Sequence, residues 1–135
     1  MIRFTVDLTP SPEAIGRLTD DVSEFLRRAG VDARAAHHVA LVIDEILTNV
    51  ATHGGSPHTP ATVALEVQPD RVSGEIGDFG RPFDPRTGPM PDLDAPLEER
   101  KVGGLGLHLV RQLTSALEYR SDGKQNWTTF CVSRA

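Results

Sequence analysis

The sequence predicts an α+β two-layer sandwich, a mixed, mainly antiparallel sheet with helices packed on one face. Three observations lead there. Most strand-like runs come in consecutive pairs joined by short turns, and the helical runs fall between those strand segments. The glycine-rich turn Gly103-Gly104-Leu105-Gly106 has neither the preceding strand nor the G-x-G-x-x-G spacing of a dinucleotide-binding βαβ unit, which excludes a doubly wound parallel sheet.

In chain order, residues 2–8 alternate Ile2, Phe4, Val6 and Leu8 against Arg3, Thr5 and Asp7, the pattern of a half-buried strand. Ser11, Pro12 and Glu13 then read as the N-cap, first position and acidic first turn of a helix. Its apolar residues Ile15, Leu18, Val22, Phe25 and Leu26 recur at helical spacing, Arg27 and Arg28 suit its negative end, and Gly30 stops it. Asp32 caps a second helix, running from about Ala33 to His53 and ending at Gly54-Gly55. Val63, Leu65 and Val67 alternate as a strand; Pro69-Asp70 turns; Val72, Gly74 and Ile76 return to Asp78-Phe79-Gly80. Residues 81–102 carry five prolines and no sustained period, the composition of a lid or binding loop. A third helix opens at Gly103–Gly106 with Leu107, Val110, Leu113 and Leu117 as its stripe. Residues 117–121 and 127–132 close the chain as two strands around Asp122-Gly123-Lys124.

The chain of 135 residues is expected to form one domain, 1–135, with an ordinary core. Its net charge of −5 argues against direct nucleic-acid binding, which needs clustered Lys and Arg. The single cysteine, Cys131, lies in an apolar strand and reads as a small buried hydrophobe. One cysteine excludes an internal disulfide and fits a reducing compartment. The first residues are too short and polar for a signal peptide, and no apolar run approaches ~18 residues, so a cytoplasmic protein without a membrane segment is expected. The five histidines show no metal-site spacing such as H-E-x-x-H.

The second helix carries the most informative polar pair. At ~100° per residue, Val39, Ala40, Ile43, Leu47 and Val50 form a core stripe. Glu45 and Asn49, one turn apart, lie opposite it. Leu41 and Val42 flank the pair, so a carboxylate and a carboxamide are expected in a partly apolar cleft. Asp78 with Gly80 at a strand end, and a glycine turn that offers backbone N–H groups to an anion, are two further features with ligand chemistry.

Together, and in this order, these features resemble the nucleotide-binding signature of the gyrase, Hsp90, histidine-kinase and MutL superfamily. The resemblance rests on Glu45-Ile46-Leu47-Thr48-Asn49, on Asp78-Phe79-Gly80-Arg81-Pro82-Phe83-Asp84-Pro85 and on Gly103-Gly104-Leu105-Gly106. The minimal chain is most similar to the anti-sigma-factor serine kinases, whose Asp-x-Gly box commonly continues into Pro-Phe-Asp-Pro. The resemblance implies the Bergerat ATP-binding fold, with ATP and Mg²⁺ as cofactors. It implies Asn49 as the Mg²⁺ ligand, Glu45 as the general base, and Asp78 as acceptor of the adenine amino group, with Gly80 giving the base room. Thr128, or Thr129 in the alternative register, would assist at adenine. Gly104, Leu105 and Gly106 would donate to the phosphates, and Arg100 or Lys101 would reach the γ-phosphate. The implied function is an ATP-dependent protein serine kinase that binds a sigma factor and phosphorylates an anti-anti-sigma partner of the STAS type, as a homodimer. The alternative is a nucleotide-binding regulatory module with little or no kinase activity. A phosphoacceptor histidine would need a dimerisation helix pair, and none is legible here.

Overall fold

The computed structural model describes residues 2–53, 59–86 and 104–135. Expectations for lid residues 87–102, and for His58, Arg100, Lys101 and Gly103, lie outside the described residues.

The elements are β1 (Ile2–Leu8), α1 (Pro12–Arg28), α2 (Ala33–His53), β2 (Ala61–Val67), β3 (Arg71–Asp78), α3 (Gly104–Leu113), β4 (Ala116–Ser121) and β5 (Asn126–Ser133). The five strands make one sheet in the order β1-β2-β3-β5-β4, and the mainly antiparallel sheet expected is antiparallel at each of its four pairings. Helix α2 lies between α1 and α3 and touches both, and it also packs on β3 and β5. No helix among the described residues is long and apolar enough to cross a membrane.

Local chemistry explains the helix boundaries. The Ser11 hydroxyl accepts from the Ala14 N–H at 3.1 Å, capping α1. At the other end Gly30, at φ 79°, takes the left-handed position; its N–H donates to Arg27 O and the Val31 N–H donates to Leu26 O, a Schellman stop. Asp32 starts α2 by accepting from the Ala35 N–H at 3.1 Å, and that bond first, then one from the Ala135 N–H, holds its carboxyl below the usual range.

Strand alternation sorts the two sheet faces. Val63, Leu65, Val72, Ile76, Phe130 and Val132 turn inward and are buried with Val22, Leu26, Val39, Ile43 and Leu47 of the helices. The Phe130 ring lies over Gly74, directly opposite it in the ladder. A Cβ on Gly74 would stand 2.6 Å from Phe130 Cε1 and 3.0 Å from Leu65 Cδ2. The outer face is polar, with Arg3 paired to Glu66 at 3.1 Å and Arg120 lying over the Trp127 ring at 4.3 Å.

Two sequence expectations are corrected. Val42, expected beside the cleft, is fully buried in the core, because α2 packs on two helices and the sheet at once and its buried arc is correspondingly wide. Leu117 does not extend the α3 stripe. The helix ends at Leu113, and Leu117 sits in β4 opposite Phe130.

Candidate functional site

Three elements bring polar side chains to one place beneath the helices. Asn49 comes from the C-terminal half of α2, Asp78 from the last position of β3 and Thr128 from β5. All three are buried, and they line one cavity with Ile46, Val50, Arg81, Phe83, Pro85 and Leu107. The apolar residues form walls on which a flat ring can rest, and the polar ones give it orientation. The alternation of β5 separates the two threonines: Thr128 faces inward with Phe130 and Val132, while Thr129 lies on the outer face between Glu75 and Glu118.

Asp78 is held firmly. Its Oδ1 accepts from the Gly80 N–H at 2.9 Å and from Asn126 Nδ2 at 2.9 Å. Oδ2 has no hydrogen-bond partner among the described residues. Asn126 is 2% exposed and was not expected from sequence. The expected strand began at Trp127, which left Asn126 in the turn. The signal was present in the alternation Asn126, Thr128, Phe130, Val132, which puts Asn126 on the inward face.

Asn49 Nδ2 is buried with no partner among the described residues. A buried amide left unpaired costs about 1–3 kcal/mol, a deficit that a polar ligand in the cavity would relieve. Glu45, one turn earlier, is half-buried and is not among the described residues lining the cavity. Burial pushes its carboxyl above the usual range, and the adjacent Asp44 adds to the effect. Gly104, Leu105 and Gly106 are the first three residues of α3, so their backbone stands at the positive end of that helix.

The segment after Asp78 lines the cavity and is strapped to α3 and β4. The Phe83 N–H donates to the Tyr119 hydroxyl at 3.0 Å, Arg111 Nε donates to Pro85 O at 2.9 Å, and Arg86 pairs with Asp84 and Glu118. Arg86 holds the Asp84 carboxyl below its usual range. The cavity volume is about 30 Å³.

Residues 8–132 match the family model described as the histidine kinase-like ATPase domain. The chain belongs to the histidine kinase-like ATPase family. Within it, the chain is 36% identical over 99 residues to the serine/threonine-protein kinase BtrW of Bordetella bronchiseptica, covering 71% of this chain and 70% of that protein. It is 26% identical over 125 residues to the serine-protein kinase RsbW of Halalkalibacterium halodurans, covering 87% and 76%. These relatives place this chain with the anti-sigma-factor serine kinases that its motifs resemble.

Solved structures agree on the fold. The RsbU and RsbW domains of a Mycobacterium tuberculosis protein superpose with a TM-score of 0.72 at 16% identity, covering 100% of this chain. This chain spans 34% of the length of that mycobacterial chain. A chain of the Pseudomonas aeruginosa SiaB–SiaC complex gives a TM-score of 0.62 at 17% identity, covering 96% of this chain and 89% of its own.

Proposed function

We propose that this ATPase is an ATP- and Mg²⁺-dependent protein serine kinase and anti-sigma regulatory factor. It would bind a sigma factor and phosphorylate an anti-anti-sigma partner of the STAS type. The observation that carries the nucleotide part is the convergence of Asn49, Asp78 and Thr128 on one apolar-walled cavity. The likeness to proteins named as serine kinases supports the transfer part.

Each residue then has a job. Asp78 Oδ2 accepts the adenine amino group, Gly80 leaves room for the base edge, and the Thr128 hydroxyl shares that edge. The cavity of about 30 Å³ is far smaller than the ~300 Å³ or more of a small-molecule site, so the strap carrying Arg81, Phe83 and Pro85 opens when the base enters. Backbone N–H groups of Gly104, Leu105 and Gly106 meet the phosphates at the helix end, and Arg100 or Lys101 neutralises the γ-phosphate. The unpaired Asn49 Nδ2 is a donor and would suit a phosphate oxygen of the nucleotide; the Asn49 oxygen would hold Mg²⁺, which when bound would shield the phosphate charge. Glu45, made more basic by burial, accepts the proton of the partner's serine hydroxyl as that oxygen bonds the γ-phosphorus and ADP departs.

This reading takes residues 1–135 as one ATPase domain with a lid at about 81–102, acting in the cytoplasm as a homodimer. A second reading is a regulatory module that holds nucleotide without transferring phosphate. The position of Glu45 outside the cavity lining favours it. Incubation with γ-labelled ATP and a cognate STAS-type partner separates the two. Label on a partner serine supports the kinase; bound ATP with no transfer supports the module.

A further inference from the structure

The Asp78 carboxylate does not stand alone, and the side chain that orients it points to how the base is chosen. Asn126 occupies the first position of β5 opposite Asp78. Its Nδ2 donates twice, to Asp78 Oδ1 at 2.9 Å and to Gly80 O at 3.0 Å. Its Oδ1 accepts twice, from the Ser121 hydroxyl at 2.6 Å and the Tyr119 hydroxyl at 3.2 Å. The amide can face only one way, because its nitrogen meets two acceptors and its oxygen meets two hydroxyls. Tyr119 in turn accepts from the Phe83 N–H, tying the same network to the strap.

We propose that Asn126 is the positioning residue for base selection: it fixes Asp78 so that Oδ1 is consumed internally and Oδ2 faces the ligand as an acceptor only. Such a carboxylate takes a six-amino purine and rejects a six-keto purine, whose oxygen would meet it lone pair to lone pair. The selectivity comes from Asp78 supplying the charge and Asn126, beside the Gly80 N–H on the same oxygen, supplying the direction. A carboxylate free to rotate would still repel a keto oxygen but would lose much of the directed bond to the six-amino group, so ATP would weaken more than inosine triphosphate. The β4–β5 hairpin, through Asn126, Ser121 and Tyr119, is then part of the base site although only Thr128 of it lines the cavity.

The inference rests on the nucleotide-binding reading above, and the test separates the two. Affinities for ATP and inosine triphosphate are measured by calorimetry on the wild-type chain, Asn126→Ala and Tyr119→Phe, with melting temperature followed in parallel. In the wild type ATP binds and inosine triphosphate binds far more weakly; failure of both to bind overturns the nucleotide reading itself. Asn126→Ala is expected to cut the ATP-to-inosine ratio about tenfold or more. A merely structural asparagine would weaken both ligands together and leave the ratio unchanged. Tyr119→Phe removes one hydroxyl and carries the test if Asn126→Ala does not fold; about a threefold fall in the ratio is expected. A folded variant with the wild-type ratio overturns the proposal.

Discussion

Replacing Asp78 by Asn probes the base site with two atoms exchanged and almost no change of shape. The Gly80 N–H and Asn126 Nδ2 both donate to Oδ1. An asparagine at 78 must therefore keep its oxygen on that side and turn its NH₂ toward the ligand. An acceptor facing the adenine amino group becomes a donor. The loss is at least one hydrogen bond to a charged group, about 1.5–3 kcal/mol, or roughly tenfold to more than a hundredfold in Kd for ATP. Inosine triphosphate, whose six-position is an acceptor, is expected to lose nothing and to gain relative to ATP. Isothermal calorimetry with both nucleotides, alongside a melting curve to confirm folding, measures the change. Folded Asp78→Asn that binds ATP within about twofold of wild type would refute the assignment of Asp78 to the base.

Other expectations test the remaining links. Gly74→Ala forces a methyl against Phe130 and Leu65 and is expected to cost about 1–3 kcal/mol, lowering Tm by roughly 4–10 °C in a thermal melt. Glu45→Gln is expected to keep ATP affinity and abolish phosphate transfer to the partner. Because burial raises the Glu45 pKa, the base is protonated and idle below that raised value, so the wild-type transfer rate should climb as pH rises through it. The sign for stability is opposite: the ionised carboxylate is disfavoured in the fold, so Glu45→Gln should melt no lower than wild type at neutral pH. Asn49→Ala is expected to remove the gain in ATP affinity that Mg²⁺ provides, seen by titrating with and without the metal.

Much of the fold was legible because each element carries its own signal. Ser11 and Gly30 mark both ends of α1, and the alternations 2–8 and 62–67 appear within β1 and β2, in register with one another. What periodicity could not give was the breadth of burial on α2. A helix packed on one neighbour buries a stripe, whereas α2 meets α1, α3 and the sheet and takes Val42 into the core as well. Leu117 shows the converse error, since a leucine four residues after Leu113 continues a helical stripe as readily as it starts a strand. In the site, Asn49 and Asp78 were legible as candidates from motif order and Thr128 only with Thr129 as its alternative; the structure brings Asn49, Asp78 and Thr128 to one cavity. Asn126 and Tyr119 were not, because a side chain that orients another is identified by a cross-strand contact, and the register of β5 on β3 and β4 is a tertiary fact.

ATP titration of the wild-type chain by calorimetry, with and without Mg²⁺, tests the central assignment most directly. The expected result is saturable one-site binding that tightens with Mg²⁺ and weakens at least about tenfold in Asp78→Asn. Absence of heat and of any thermal shift at millimolar ATP would contradict it, leaving a histidine kinase-like ATPase fold that acts through its surface alone.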